Sequence, residues 1–139
     1  MVFDFGLDKE EGWQGEGTLL IVDDENSVRL IAGRMCEILG FETLYAEDGI
    51  EALDVFRQHH QGIAGVLLDI TMPGMDGMEV MHKMRDVNPH VPIILVSGYS
   101  ETEVAAFADS KYPDGFVQKP FRLKSLKNAL FEALRHAAC

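Results

Sequence analysis

Cysteine, basic residues and long apolar runs are scarce in this chain, and each scarcity excludes a class of protein. The two cysteines, Cys36 and Cys139, are too few for a disulfide framework, so we expect a reducing compartment, the cytoplasm. No apolar stretch approaches the roughly 18 residues that a membrane span needs. No basic region followed by an apolar stretch precedes the first strand, as it would in a secretory signal. We therefore expect a cytoplasmic domain that does not contact a membrane.

Positively charged residues are fewer than negatively charged ones in this chain. Lysine and arginine number 12 against 23 acidic residues, so the net charge is -11. Such a chain repels a polyanion, and nucleic acid is therefore not an expected partner. The length of 139 residues suits one domain with a real core. Because several of the acids directly follow apolar segments, the acidity also indicates a cation site.

The chain divides by composition near residue 17. Residues 1–17 are rich in glycine and acidic residues, which predicts a tail or linker. An alternative is a docking segment that uses Phe3, Phe5 and Trp13. Residues 18–139 are then the folded domain.

Short apolar strands alternate with helical patterns from Thr18 onward. The strands are predicted at 18–23, 41–46, 65–69, 92–97 and 114–118. The first helix is predicted from apolar residues at helical spacing, namely Val28, Ile31, Ala32, Met35, Ile38 and Leu39, and Gly40 ends it. Three later helices are predicted to begin at capping boxes, which are Asp48 with Glu51, Asp76 with Glu79, and Ser100 with Glu103. A fifth helix is predicted from leucines at helical spacing, namely Leu123, Leu126, Leu130 and Leu134.

Five strands alternating with five helices predict an α/β fold with a parallel sheet, because parallel strands need crossover connections. The expected architecture is a flavodoxin-like (βα)5 doubly wound sheet of order 2-1-3-4-5, sandwiched between two helical layers as three layers, αβα. That order places the ligand crevice at the carboxyl ends of the first and third strands.

Polar side chains follow the strands at this edge of the predicted sheet. Asp23 ends the first strand and Asp24 follows it, Asp69 ends the third, Ser97 ends the fourth and Lys119 follows the fifth. Three close carboxylates repel one another, and a hard cation such as Mg2+ would relieve that repulsion. With Asp69 as nucleophile, Lys119 as a second positive charge and Ser97 as a hydrogen-bond donor, the set suits phosphoryl transfer to a carboxylate.

Four stretches also resemble the motifs of a known family. They are LLIVDDE (19–25), LLDITMPGMDG (67–77), ILVSGYS (94–100) and FVQKPF (116–121). In these motifs the chain resembles the receiver domains of two-component response regulators, from Thr18 to about Ala137. It is most similar to the C-terminal receivers of hybrid sensor histidine kinases. The alternative is that the chain is a free-standing single-domain regulator.

The resemblance implies a phosphoacceptor and a metal site. Asp69 would be the phosphoacceptor. Asp24, Asp69 and the backbone carbonyl of Thr71 would ligate Mg2+ directly, and Asp23 would hold the ion through water. No other cofactor is expected.

The resemblance also implies contacts to the phosphoryl group and a conformational switch. Lys119 would contact the phosphoryl group, and the peptide bond between Lys119 and Pro120 would be cis. Ser97 and Phe116 would be the switch pair, with the hydroxyl closing on the phosphoryl group and the ring rotating inward behind it.

The implied function is that of a phosphorylation-switched signalling domain in a phosphorelay. It would take a phosphoryl group from the phosphohistidine of a histidine kinase or of a histidine phosphotransfer domain. It would catalyse its own phosphorylation and dephosphorylation without turning over a separate substrate, so it is not expected to be an enzyme in the usual sense. The sequence leaves open whether the domain forms a homodimer through the fourth and fifth helices.

Three other functions compete with this one. A haloacid-dehalogenase-like phosphatase also uses a strand-end aspartate, Mg2+ and a lysine, but it needs a second aspartate where this chain has Thr71. A flavin-binding protein of the same fold would not place the acids of DDENS (23–27) where a phosphate must sit. A receiver-like domain that acts by binding alone would not need all the residues of the acidic pocket, yet this chain has a suitable residue at every one of those positions.

Overall fold

The computed structural model describes residues 12–71, 76–105 and 113–137, and strands and helices alternate along them. The strands are β1 (Thr18–Val22), β2 (Glu42–Ala46), β3 (Ile63–Asp69), β4 (Ile93–Ser97) and β5 (Gly115–Gln118). The helices are α1 (Asn26–Ile38), α2 (Gly49–His59), α3 (Gly77–Val87), α4 (Glu101–Ala105) and α5 (Leu123–Ala137), with a 3-10 turn at His60–Gly62. In this described part, no helix is long and apolar enough to cross a membrane.

The sheet has the predicted topology. Its five described strands run parallel in the order β2-β1-β3-β4-β5, which confirms the flavodoxin-like arrangement. The strand order reverses between β1 and β3, and this is where such folds form their crevice. Val22 at the end of β1 pairs with Leu68 near the end of β3, so the two carboxyl ends lie side by side.

Two hydrophobic cores cover the two faces of the sheet. Leu20, Leu68 and Leu95 pack with residues of α2, α3 and α4. Leu19 and Leu67 point to the opposite face and pack with residues of α1 and α5. None of the five is more than 2% exposed. Because the central strands are buried on both sides, their carboxyl ends are held in fixed positions.

The predicted capping boxes differ in how completely they form. At α4 the box is reciprocal, since the Glu103 N–H donates to Ser100 Oγ at 3.1 Å and the Ser100 N–H donates to Glu103 Oε1 at 2.8 Å. At α2 the Glu51 N–H donates to Asp48 Oδ1 at 2.7 Å, but the Glu51 carboxylate accepts from the Glu47 N–H instead. The prediction of a start at Asp48 is therefore right, whereas the reciprocal half of that box is not made.

The segment before β1 lies against the domain at Trp13. The Trp13 ring centroid is 5.9 Å from that of Phe41 and 5.6 Å from that of Phe131 on α5. Phe3 and Phe5 lie outside the described residues. The division between a tail and the domain stays a prediction.

Replacing Leu126 by alanine should test the core beneath α5. Leu126 is fully buried, so we expect Leu126→Ala to lower the free energy of unfolding by about 3 kcal/mol because it leaves a cavity. The matched control is Leu30→Ala on α1, where the leucine is 53% exposed and the change should stay within about 0.5 kcal/mol. Urea unfolding followed by circular dichroism measures both, and equal losses would contradict the assignment of the core.

Candidate functional site

Polar side chains meet at the carboxyl edge of the sheet. Asp23 directly follows β1, Asp69 and Ser97 end β3 and β4, and Lys119 directly follows β5. Asp23, Asp69 and Ser97 are 3%, 1% and 0% exposed. Since buried polar groups are costly unless they have partners, the contacts of these side chains define the site.

Three carboxylates form one cluster at this edge. Asp23, Asp24 and Asp69 each offer an oxygen, and these oxygens lie within 4.8 Å of one another. Asp23 and Asp69 are buried whereas Asp24 is exposed, so the cluster opens to solvent on the side of Asp24. Several hard oxygen ligands with an open side are the donor set that Mg2+ takes. The predicted acids are therefore brought together, and they fit a hard divalent cation.

Lys119 places its ammonium between the two buried acids. The Nζ atom is 2.9 Å from Asp23 Oδ2 and 3.0 Å from Asp69 Oδ2. The Lys119–Pro120 peptide bond is cis, the isomer that the resemblance led us to expect. The lysine predicted from the sequence thus contacts the cluster directly.

Burial and charge change the acid–base properties of this group of side chains. Burial raises the pKa of the Asp23 carboxyl above its ordinary value, and the neighbouring Asp69 charge adds to the rise against the hydrogen bonds from Glu25 and Lys119. Burial alone would lower the pKa of Lys119, but its hydrogen bonds and charge interactions with Asp23 and Asp69 outweigh burial and raise that pKa. The stability that Lys119 contributes is therefore fully present below its ordinary pKa of 10.5 and is lost as pH rises through the raised value.

The two oxygens of Asp69 have different partners. Oδ2 accepts from Lys119 Nζ, while Oδ1 accepts from the Thr71 N–H at 2.9 Å and from the Thr71 hydroxyl at 2.7 Å. Contacts on both oxygens hold the carboxylate plane in one orientation. Thr71 occupies the position where a haloacid-dehalogenase-like phosphatase needs its second aspartate, so that alternative is not favoured.

The predicted switch residues lie on neighbouring strands, Ser97 at the end of β4 and Phe116 within β5. Ser97 Oγ accepts from the Tyr99 N–H at 3.0 Å, and the Ser97 carbonyl accepts from the Lys119 N–H at 2.7 Å. Phe116 lies on β5, is partly buried and packs against the core that contains Val104 of α4. Their role as a switch pair stays a prediction.

Arg29 also contacts the site, although we did not predict it from the sequence. Its Nη1 donates to the backbone carbonyl of Asp23 at 2.6 Å, and its Nη2 donates to Asn26 Oδ1 at 2.8 Å. The signal that could have identified it is an arginine in the first turns of the helix that follows two strand-end acids. Such a residue can reach back to the loop that carries them.

Comparison with known proteins agrees with this geometry. The family model described as "Response regulator receiver domain" matches residues 19–131. Sensor kinase CckA of Brucella abortus is 35% identical over 130 residues, which cover 92% of this chain and 14% of the kinase. Among solved structures, a response regulator receiver domain protein from Clostridium thermocellum has a TM-score of 0.81 at 25% identity and covers 88% of this chain and 98% of its own. The receiver domain from hybrid histidine kinase CckA has a TM-score of 0.70 at 31% identity and covers 85% of this chain and 99% of its own.

Replacing Lys119 by methionine should expose the repulsion between the buried acids. In metal-free buffer at pH 7 we expect Lys119→Met to lower the free energy of unfolding by about 3 kcal/mol, because two buried carboxylates lose their opposite charge. The loss should shrink toward pH 4, near the ordinary pKa of carboxyl groups, where protonation removes the repulsion. Urea unfolding at several pH values measures both effects.

Lys124→Met on α5 is the control for that experiment, since Lys124 is exposed. It should change the free energy of unfolding by at most about 0.5 kcal/mol at every pH. A loss in Lys119→Met that did not vary with pH would point to lost packing rather than lost charge.

Proposed function

This chain belongs to the response regulator receiver family, and on that premise we propose that it accepts a phosphoryl group on Asp69 from the phosphohistidine of a histidine kinase or a histidine phosphotransfer domain. The observation that carries the proposal is the placement of Asp69. It lies at the end of a buried strand, within an acid cluster and in contact with Lys119. A rigidly held carboxylate with positive charge beside it is equipped to attack phosphorus.

The proposed reaction moves a phosphoryl group from nitrogen to oxygen. A carboxylate oxygen of Asp69 forms a bond to phosphorus, and the bond from phosphorus to the donor's imidazole nitrogen breaks. The electron pair of that bond goes to the ring nitrogen, and a proton on the donor ring makes the leaving group a neutral imidazole. The product on this chain is an aspartyl phosphate.

The residues that would hold Mg2+ are Asp24, Asp69 and the backbone carbonyl of Thr71 directly, with Asp23 acting through water. When bound, the ion supplies positive charge that offsets the negative charge of the phosphoryl oxygens. The opening on the side of the exposed Asp24 supports this assignment, since it leaves room for ligands that the protein does not provide.

Lys119 would contact the phosphoryl group from the other side of the cluster. Its ammonium already lies at 3.0 Å from Asp69 Oδ2, so a short movement would bring it to an oxygen of the incoming group. Phosphorylation adds charge and acceptor oxygens at Asp69. Ser97 would then donate its hydroxyl to the phosphoryl group, and Phe116 would turn inward behind it, which is how the switch would reach the face formed by α4 and β5.

The family and the coverage of its relatives support one setting for the domain over another. The chain spans 14% of the length of the CckA kinase that it matches. Its similarity to the receiver of that hybrid kinase supports origin in such a protein, with a free-standing regulator as the other setting. Histidine kinases supply the phosphoryl group in the cytoplasm, so the domain would act there. Formation of a homodimer through α4 and α5 would be one way in which the phosphorylated state produces a response.

Phosphorylation by phosphoramidate is the direct test, because its phosphorus–nitrogen bond resembles that of phosphohistidine. We expect intact-mass measurement to show one added phosphoryl group in the wild type with Mg2+ and none when EDTA removes the metal. Asp69→Asn should not be labelled, because the amide is not a nucleophile of comparable strength. The labelled species should be lost in hydroxylamine, which cleaves acyl phosphates.

Asp54→Asn provides the matched control, since Asp54 is an exposed residue of α2. It should be labelled to the wild-type extent. Labelling of Asp69→Asn would place the phosphoacceptor elsewhere, and absence of any adduct on the wild type while Mg2+ binds normally would favour a domain that acts by binding alone.

A further inference from the structure

The guanidinium of Arg29 joins the loop that follows β1 to the first residue of α1. One guanidinium nitrogen donates to the Asp23 carbonyl at 2.6 Å and the other donates to Asn26 Oδ1 at 2.8 Å. Asp24 lies between these two residues in the chain. The fork of Arg29 therefore spans the exposed acid of the cluster without contacting its carboxylate in the described structure.

Asp23 is held at each of its polar groups. Its N–H donates to the Ala46 carbonyl at 3.2 Å, and its Oδ1 accepts from the Glu25 N–H at 2.9 Å. Its Oδ2 accepts from Lys119 at 2.9 Å, and its carbonyl accepts from Arg29. The bond from Arg29 is the one that links this residue to a side chain of α1, so it joins the metal-binding loop to the helix that follows.

We infer that Arg29 is a positioning residue for the metal site, and that its guanidinium holds the loop of Asp23 and Asp24 in the shape that binds Mg2+. The inference rests on the proposed function, since it assumes that this cluster binds Mg2+. A fixed loop lowers the cost of binding because the carboxylates need not be ordered when the ion arrives. Arginine suits this role because its planar fork reaches two acceptors at once.

The sign of the effect separates this role from simple electrostatics. A positive charge near a cation site repels the cation, so removing the charge of Arg29 would by itself tighten Mg2+ binding. Loss of the hydrogen bond to the Asp23 carbonyl would loosen the loop and weaken Mg2+ binding. The two explanations therefore predict opposite changes in the dissociation constant.

The test is calorimetric titration of Mg2+ into the wild type, Arg29→Ala and Arg34→Ala. We expect Arg29→Ala to raise the Kd for Mg2+ about tenfold, the usual size of the effect when a residue that orients metal ligands is lost. Arg34 lies on the same helix, is exposed, and makes no hydrogen bond or ion pair with the described residues. Arg34→Ala removes the same charge and should leave the Kd within about twofold of the wild type.

Arg29→Lys keeps the charge but cannot reproduce the fork, so it should also raise the Kd. It serves as the second variant if Arg29→Ala fails to give a folded circular dichroism spectrum. With phosphoramidate, both variants should need more Mg2+ for half-maximal labelling and should reach a rate near that of the wild type at saturating Mg2+. A residue that matters only for folding would lower the thermal midpoint in EDTA and leave the Mg2+ requirement unchanged.

A Kd for Arg29→Ala that equals the wild-type value or falls below it would overturn the inference. So would a Kd in Arg29→Lys that matches the wild type, because the fork of the guanidinium would then not be needed. If the wild type itself did not bind Mg2+, the proposed function would fail instead.

Discussion

The ammonium of Lys119 between the buried carboxylates of Asp23 and Asp69 is the interaction on which the rest of the structure depends. Two buried acids at this distance would repel each other and would favour protonation of one of them. The lysine, which follows a third strand, offsets that repulsion. The ends of β1, β3 and β5 must therefore come together before the buried charges are stabilised. Because three carboxylates face one ammonium, the cluster is still short of positive charge. The remaining negative charge favours binding of a divalent cation, and the bound cation in turn favours a phosphoryl group.

The buried strands are what make this arrangement durable. Neighbouring parallel strands lie about 4.8 Å apart, and Val22 pairs directly with Leu68, so the residues that follow them, Asp23 and Asp69, are set at a comparable spacing. Both faces of the sheet are packed, and the strand ends therefore cannot move apart to relieve the repulsion. The free energy gained by packing the two hydrophobic cores thus offsets the repulsion between the two carboxylates.

Two basic residues serve the acid cluster in different ways. Lys119 contacts the carboxylates of Asp23 and Asp69 themselves and offsets part of their negative charge. Among the described residues, the guanidinium of Arg29 donates to the backbone carbonyl of Asp23 and to the side-chain amide oxygen of Asn26, and neither bond uses a carboxylate oxygen of the cluster. A cation that acts through the backbone can order a metal site without neutralising it.

Local sequence by itself determined the type and order of the elements and the residues at or just after the strand ends, including Asp23, Asp69 and Lys119. Strand alternation, helical spacing and caps act over a few residues, so they can be read along the chain. Tertiary structure alone decided which atoms meet. Ile31 and Ile38 fit the apolar spacing that predicted α1, yet they are 56% and 64% exposed, because the sheet covers another side of that helix. The contact between Asp69 and Lys119 joins residues 50 positions apart, and its 3.0 Å length depends on strand register and packing, which no local pattern records.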